Sequence, residues 1–370
     1  MRRLIRAMAA RRRLFASGRS LTLAVPCGLP LNRERERAAR GQGTLPCGRR
    51  ASRAARAAAL AVAAAAAVYA QHQTPLKVED PGVIFRSDTR LVVCHTSVID
   101  KAGHLVTALP KSAFSVTENG APQEIKVFKA EDVPVAMGLV IDNSGSMRDK
   151  RAKVEAASVA LVKDSNPEDE VFVVNFNEEP FLDLPPGMNF TSDIEVLKHA
   201  LERIDSRGGT AMRDAIASSI VHLREHASRD KKVLVVVTDG NDNSSLITLE
   251  SLVKASQQAE VLIYSVGLLA EEEPRAAREA RRALNALADS TGASAFFPKE
   301  LAEVDRIAHQ VAHDIRNQYT IEYTPTNTNM DGQFRAIKIS VNAPGKPAVR
   351  TRPGYWATDS TVPKGAQTLK

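Results

Sequence analysis

The sequence is poor in cysteine and has no apolar run long enough to cross a membrane. Among 370 residues only Cys27, Cys47 and Cys94 are cysteines, and Cys94 alone lies beyond the first seventy residues. This excludes an internal disulfide from the body of the chain, and Cys94, in the apolar run 91–94, is predicted to be a buried small side chain. The uncharged stretch 57–70 has fourteen residues, whereas a membrane helix needs about twenty.

Two motifs of common enzyme classes are missing as well. No serine stands in a Gly-x-Ser-x-Gly elbow, and no Gly-x-x-x-x-Gly-Lys loop is present to cradle a phosphate. These absences argue against a nucleophile of the α/β-hydrolase type and against a P-loop nucleotide site.

Lysine is absent from the first seventy residues, yet this segment is the source of the chain's net positive charge. It has 15 arginines and two glutamates, a net charge of +13. The other 300 residues have 35 lysines and arginines against 41 aspartates and glutamates, a net charge of −6, within a total of +7. The mildly acidic body gives no electrostatic support to nucleic-acid binding, so we expect no nucleic-acid partner.

The end of the basic segment has the order of residue types that is found in export signals. Four arginines at positions 49–56 precede the apolar stretch 57–70, and Val68 and Ala70 place small residues three positions and one position before a cleavage point. This order is typical of a secretory signal peptide. The alternative is an alanine-rich helix of a soluble protein, since alanine is the best helix former. We expect an exported protein, periplasmic or secreted, that is cleaved after Ala70 and has no membrane span in its mature part.

The body of the chain changes its periodicity twice. Short strands separated by turn residues are predicted at 83–85, 90–98, 114–117 and 125–128. Compact apolar runs then predict the buried strands of a parallel sheet, at 135–141, 171–176, 233–237, 261–266 and 293–297. Helical patterns lie between and after these runs, at 151–162, 194–204, 211–227, 249–259, 274–288 and 301–315. Beyond Arg316, alternating strands return on either side of Asp331 and Gly332.

This order predicts an α/β fold, with a doubly wound, mostly parallel sheet and helices on both of its faces. The last strands are too few to be stable alone, so we expect the two flanks to form one small β-sandwich-like layer together. The predicted organisation is a leader and signal peptide at 1–70, a β-rich flank at 76–131, the α/β domain at 133–316, a second β flank at 317–357 and a disordered tail at 358–370.

Oxygen-bearing side chains follow two predicted strands and open one predicted helix. Asp142, Ser144 and Ser146 follow the run 135–141, Thr210 opens the third helix, and Asp239 follows the run 233–237. Because ligands of open parallel sheets bind at the carboxyl ends of the strands, we expect these five side chains to meet there. Oxygen donors without His or Cys suit Mg²⁺, Mn²⁺ or Ca²⁺ rather than zinc. The segment 142–146 alone would be an ordinary turn and helix cap, but three loops in this order predict a metal site.

In these residues the sequence resembles the von Willebrand factor type A domain, over about 133–316. Asp142-x-Ser144-x-Ser146, Thr210 and Asp239 match, in order, the metal-ion-dependent adhesion site of that family. The resemblance implies that Ser144, Ser146 and often Thr210 bind the metal directly, and that Asp142 and Asp239 act mainly through water. It also implies that an acidic side chain of a partner protein completes the coordination. The flanks resemble exported A-domain-related proteins of acidobacteria.

We therefore expect an exported, non-enzymatic protein that binds an exposed Asp or Glu of a protein partner through Mg²⁺, or through Mn²⁺ or Ca²⁺. One alternative is a metal-dependent hydrolase that uses the same site or zinc at His222 and His226, although the sequence offers no base or nucleophile near the metal. Another is a structural envelope component with a purely stabilising metal. The match of 222–226 to His-x-x-Glu-His is interpreted as a solvated helix face, and His309 and His313 are expected at the surface or core edge.

Overall fold

The computed structural model describes residues 91–130, 132–202, 206–240, 242–358 and 369. The predicted leader at 1–70 and the predicted strand at 83–85 lie outside the described residues. Of the predicted tail, Thr358 and Leu369 are described, and Leu369 packs, half-buried, against the main core. Within the described residues, no helix combines the length and the apolar character needed to cross a membrane.

Fourteen strands and six α-helices form in the described part of the chain. The strands are β1 (Val92–Ile99), β2 (Phe114–Glu118), β3 (Ala121–Gln123), β4 (Ile125–Lys129), β5 (Val135–Asp142), β6 (Glu170–Phe176), β7 (Pro180–Leu182), β8 (Lys231–Thr238), β9 (Val261–Gly267), β10 (Ala295–Phe296), β11 (Tyr319–Tyr323), β12 (Phe334–Val341), β13 (Ala348–Arg350) and β14 (Gly354–Trp356). The helices are α1 (Arg151–Lys163), α2 (Ile194–Leu201), α3 (Met212–His226), α4 (Leu249–Ala259), α5 (Pro274–Thr291) and α6 (Glu303–Arg316).

A six-stranded sheet forms the centre of the α/β domain, in the order β10-β9-β8-β5-β6-β7. All pairs are parallel except that of β6 with the edge strand β7. β5 is buried at all eight positions, which its unbroken apolar run requires of a central parallel strand. The carboxyl ends of β5 and β8 therefore meet at one edge of the sheet.

Helices cover this sheet in two layers. α1 packs against α2 and α6, while α4 packs against α3 and α5. In α3 the predicted apolar stripe is buried, and it consists of Met212, Ile216, Ile220 and Leu223. Two helix layers on one parallel sheet make the domain doubly wound, as the sequence predicts.

Two four-stranded antiparallel sheets are formed by strands from both flanks. Their orders are β13-β1-β11-β4 and β14-β12-β2-β3. Cys94 of β1 lies opposite Ile321 of β11, and Val116 of β2 lies opposite Ile339 of β12. All four side chains belong to a second core that these sheets enclose. The predicted fold class, an α/β domain with a small β-sandwich layer from both flanks, is thereby confirmed.

Candidate metal centre

Two neighbouring parallel strands bring a carboxylate and a hydroxyl group together at the carboxyl edge of the central sheet. Asp142 is the last residue of β5, and Thr238 is the last residue of β8. The Thr238 Oγ1 hydroxyl donates to Asp142 Oδ2 over 2.6 Å, and the Ser144 N–H donates to Asp142 Oδ1 over 2.8 Å. Both carboxylate oxygens accept a hydrogen bond, so the orientation of the Asp142 side chain is fixed.

A chain of short contacts continues from Ser144 to Asp239. The Oγ atoms of Ser144 and Ser146 lie 3.1 Å apart, and Ser146 Oγ donates to Asp239 Oδ1 over 2.8 Å. Asp142 and Asp239 are fully buried, whereas Ser146 is exposed. Four of the five predicted ligands thus share one hydrogen-bonded cluster whose solvent-facing side carries a hydroxyl group.

Thr210, the fifth predicted ligand, reaches the same edge on the loop before α3. Its backbone N–H donates to Asn243 Oδ1 over 2.9 Å, and its carbonyl accepts the Asn243 N–H over 3.1 Å. Earlier in this loop, Ser206 Oγ donates to Asn143 Oδ1 over 3.1 Å. The structure therefore fixes the backbone of Thr210 and lays its loop against the loop that contains Ser144.

Burial has a large effect on the electrostatics of Asp142. It raises the pKa of Asp142 to about 6, hydrogen bonds from Thr238 and Ser144 oppose this rise, and the charge of Asp239 adds to it. Asp142 and Asp239 are both buried, and a cation beside them would offset the negative charge of these carboxylates.

The donor set fits a hard divalent cation. It offers two carboxylates and the hydroxyl oxygens of serine and threonine, which are oxygen ligands of the kind that Mg²⁺ and Ca²⁺ prefer. Among the described residues, no three or more His, Cys, Asp or Glu side chains group so as to hold a metal ion. A cation at this edge would therefore depend on the oxygens of Ser144, Ser146 and Thr210.

Lys150 is a component of the site that the sequence analysis missed. Its Nζ donates to Asp239 Oδ2 over 2.7 Å and lies 3.3 Å from Glu271 Oε2. Burial lowers the pKa of Lys150, but the hydrogen bond and the charge of Asp239 outweigh burial and raise it. One oxygen of Asp239 is thus already paired with an ammonium group of the chain. Thr238 was missed too, although it stands next to Asp239 in the sequence.

Comparison with known families identifies the domain that contains this cluster. The family model described as von Willebrand factor type A domain matches residues 137–241, a range that includes all five predicted ligands. The chain contains a von Willebrand factor type A domain. Such an A domain is, in general terms, a module for protein interaction or adhesion.

Proteins similar to this chain share modest identity with it. An uncharacterized protein of Borreliella burgdorferi is 26% identical over 181 residues, which are 47% of this chain and 50% of the relative. The chain thus spans about half the length of that curated relative. The solved von Willebrand factor type A structure from Catenulispora acidiphila is 15% identical, with 73% of this chain and 75% of that chain covered and a TM-score of 0.44. The vWF domain of the type V pili tip protein Mfa5 from Porphyromonas gingivalis is 14% identical, with 50% of this chain and 97% of that chain covered and a TM-score of 0.40.

His222 of the A domain is buried, so the interpretation of this histidine as part of a solvated helix face is wrong. It is 5% exposed, and its ring centroid lies 4.6 Å from that of Phe172 and 5.2 Å from that of Phe190. Its Nε2 lies 2.9 Å from the Asn189 carbonyl oxygen, to which it donates when protonated there. This contact leaves Nδ1 as the ring nitrogen of His222 that zinc at His222 and His226 would need.

The second histidine pair of the A domain lies at the surface. His309 and His313 are both exposed on α6, and His309 Nδ1 contacts the Asp164 carboxylate. This position is the one that the sequence analysis expected for the pair.

The burial of His222 predicts a loss of stability in mild acid. Burial lowers the pKa of His222 below 6.5, so the unfolded state binds a proton more readily than the folded state. Between pH 7 and pH 5.5 this one group is expected to lower the free energy of unfolding by at most about 1 kcal/mol. His222→Gln should reduce this pH dependence in urea unfolding experiments. His199→Gln, a change at a largely exposed histidine, should leave it as it is; equal pH dependence in both variants would contradict the assignment.

Proposed function

We propose that this chain is an exported, non-enzymatic binding protein whose A domain captures an Asp or Glu side chain of a protein partner through a divalent cation, Mg²⁺ or its substitutes Mn²⁺ and Ca²⁺. The observation that carries the proposal is the cluster at the carboxyl edge of the central sheet, where Asp142, Ser144, Ser146 and Asp239 are joined by hydrogen bonds. Export is supported by the order of basic and apolar segments before Ala70.

The residues of the cluster divide into two chemical groups. Asp142 and Asp239 supply negative charge from buried positions, while Ser144, Ser146 and Thr210 supply neutral oxygens. Neutral ligands leave a cation more of its positive charge, which favours a negatively charged group from outside. When bound, the cation provides a Lewis-acidic position for the carboxylate of a partner. The exposed Ser146 marks the side from which a partner has access.

The proposal is tested by the retention of envelope proteins on the immobilised protein. We expect at least one protein to be retained in Mg²⁺, to be released by EDTA, and to be absent from a matched column of Asp142→Asn. Exchange of individual Asp and Glu residues in the retained protein should then identify the carboxylate that binds. Retention that is the same with Mg²⁺, with EDTA and on the variant column would refute capture through a metal.

Two alternative functions predict different results for the same protein and its Asp142→Asn variant. A metal-dependent hydrolase predicts turnover of ester or peptide substrates that is lost in Asp142→Asn. A structural envelope component predicts that Mg²⁺ raises the Tm while no protein is retained in a metal-dependent manner.

A further inference from the structure

A leucine side chain is exposed at the carboxyl edge of the central sheet, the edge that carries the candidate metal centre. It belongs to Leu246, in the loop 242–248 that leads into α4. Three large apolar side chains are exposed among the described residues, and Leu246, at 80%, is more exposed than Met330, at 51%, or Leu91, at 42%. Single exposed apolar residues are common on protein surfaces, so a role for Leu246 depends on its position and on how its loop is held.

The loop that contains Leu246 packs directly on the loop that contains Thr210. The N–H groups of Asn243 and Ser244 both donate to the Thr210 carbonyl, each over 3.1 Å. A Cβ atom on Gly209 would lie 2.3 Å from Ser244 Oγ and 2.7 Å from Asn243 Oδ1, so the two loops touch without a gap. Leu246 follows this contact by two residues. The exposed leucine therefore belongs to the surface that surrounds the candidate metal centre.

Two aspartates hold the backbone at Leu246. Asp214 Oδ2 accepts the Leu246 N–H and Asp214 Oδ1 accepts the Ile247 N–H, both over 2.9 Å. Asp242 accepts the N–H and the hydroxyl group of Ser245 over 3.1 and 2.7 Å. Ile247 is 4% exposed and belongs to the main core. Because Ile247 takes the inward position, the fixed backbone leaves the leucine before it on the outside.

Polar groups in and around this loop are bonded to one another. The Arg213 N–H and guanidinium donate to the Asp242 carboxylate over 2.7 and 3.0 Å, and Ser244 Oγ donates to Asn243 Oδ1 over 2.8 Å. A partner that covers Leu246 does not have to replace these bonds. Since the loop is ordered before binding, little conformational entropy is lost when an apolar surface is covered there.

We propose that Leu246 is an apolar contact for the protein partner, which carries an apolar side chain close to the Asp or Glu that the cation captures. This inference rests on the proposed function, because the cation determines where the acidic residue of the partner lies. A cation alone accepts any accessible carboxylate and so distinguishes poorly between partners. Specificity is a difference between affinities, and the contact with Leu246 supplies this difference.

The test uses a displayed library of short peptides with a fixed central Asp and random flanking residues. Peptides are retained in Mg²⁺ and eluted with EDTA, on the immobilised full chain and on its Leu246→Ser variant. On the unchanged protein we expect the eluted peptides to be enriched in Leu, Ile, Met or Phe at one fixed spacing from the Asp. On Leu246→Ser this enrichment should disappear, while retention should still require Mg²⁺.

Matched variants measure the contribution of the leucine to affinity. In calorimetric titration with an enriched peptide, Leu246→Ser should bind about tenfold more weakly, a loss of ~1.4 kcal/mol. Leu246→Met keeps an apolar side chain of similar size and should stay within about threefold of the unchanged protein. Met330→Ser, at an exposed apolar residue of the loop before β12, should bind as the unchanged protein does. Leu246→Ser should keep its affinity for Mg²⁺ and its Tm, because the leucine side chain neither binds the cation nor packs in a core.

The outcomes separate this inference from the proposed function on which it rests. Peptides that require Mg²⁺ but show no apolar preference would overturn the role of Leu246 and leave metal capture in place. Equal affinity of the enriched peptide for the unchanged protein and Leu246→Ser would do the same. If no peptide is retained in a Mg²⁺-dependent manner, capture through the metal fails and the contact with Leu246 fails with it.

Discussion

Asp142→Asn is expected to remove Mg²⁺ binding while the fold remains intact. The substitution deletes one of two buried carboxylate charges at the carboxyl edge of the sheet, and the affinity for Mg²⁺ should fall at least about a hundredfold, ~2.7 kcal/mol. The asparagine amide can still exchange hydrogen bonds with the Ser144 N–H and the Thr238 hydroxyl, which hold the present carboxylate. An amide also avoids the desolvation that raises the pKa of Asp142, so the variant should be at least as stable in EDTA.

Asp169→Asn is the matched control for this prediction. Asp169 is also a buried aspartate, and its two oxygens accept the N–H groups of Val135 and Asn166 at the opposite edge of the sheet. In thermal unfolding with and without Mg²⁺, this control should keep the full Mg²⁺-dependent rise in Tm, whereas Asp142→Asn should show none. A rise of the same size in both variants would mean that Mg²⁺ stabilises the protein elsewhere.

The sequence was sufficient to predict five of the six strands of the central sheet, and the edge at which the oxygen-bearing side chains meet, because these follow from local patterns. β5 is an unbroken apolar run, and such a run predicts a strand buried on both faces. Once β5 and β8 are parallel neighbours, the residues at their carboxyl ends must lie side by side. The meeting of Asp142 and Asp239 is therefore a consequence of topology that spacing in the sequence can anticipate.

Contacts between distant segments were not predictable in the same way. Lys150 precedes α1 with no motif around it, and only the folded chain places its ammonium beside Asp239. His222 stands between Val221 and Leu223 in the match to a zinc-protease motif, and its burial depends also on Phe190, a residue from a separate loop. Side chains whose environment is made by another segment carry no periodic signal of their own.

Short strands were missed for a related reason. β13 and β14 have three residues each, which is too few to show an alternating pattern. They form because β1 and β12 offer free edges to them. The pairing of the two flanks was therefore predictable, whereas the close crossing of Gly292 by the backbone of Thr351 and Arg352 was not.

Lys150→Met is expected to tighten Mg²⁺ binding about tenfold, ~1.4 kcal/mol. The ammonium of Lys150 lies 2.7 Å from Asp239 Oδ2 and is 14% exposed, so it neutralises a carboxylate that a cation needs and also repels the cation. Methionine keeps an unbranched side chain, one atom shorter than that of lysine, and removes its charge. Calorimetric titration with Mg²⁺ measures the change directly, and Lys153→Met is the control, because Lys153 pairs with Asp305 on α6 rather than with the site.

The same substitution should have the opposite effect on stability when the metal is chelated. In EDTA, Lys150→Met leaves the buried carboxylate of Asp239 without its ammonium partner, which should lower the free energy of unfolding by about 2 kcal/mol. Mg²⁺ should then raise the Tm of the variant more than it raises the Tm of the unchanged protein, because the cation replaces the missing positive charge. If instead Lys150→Met bound Mg²⁺ more weakly, with a lower Tm in both conditions, Lys150 would hold Asp239 in place for the metal rather than compete with it. Affinity and stability measured together therefore separate a competing charge from a supporting contact.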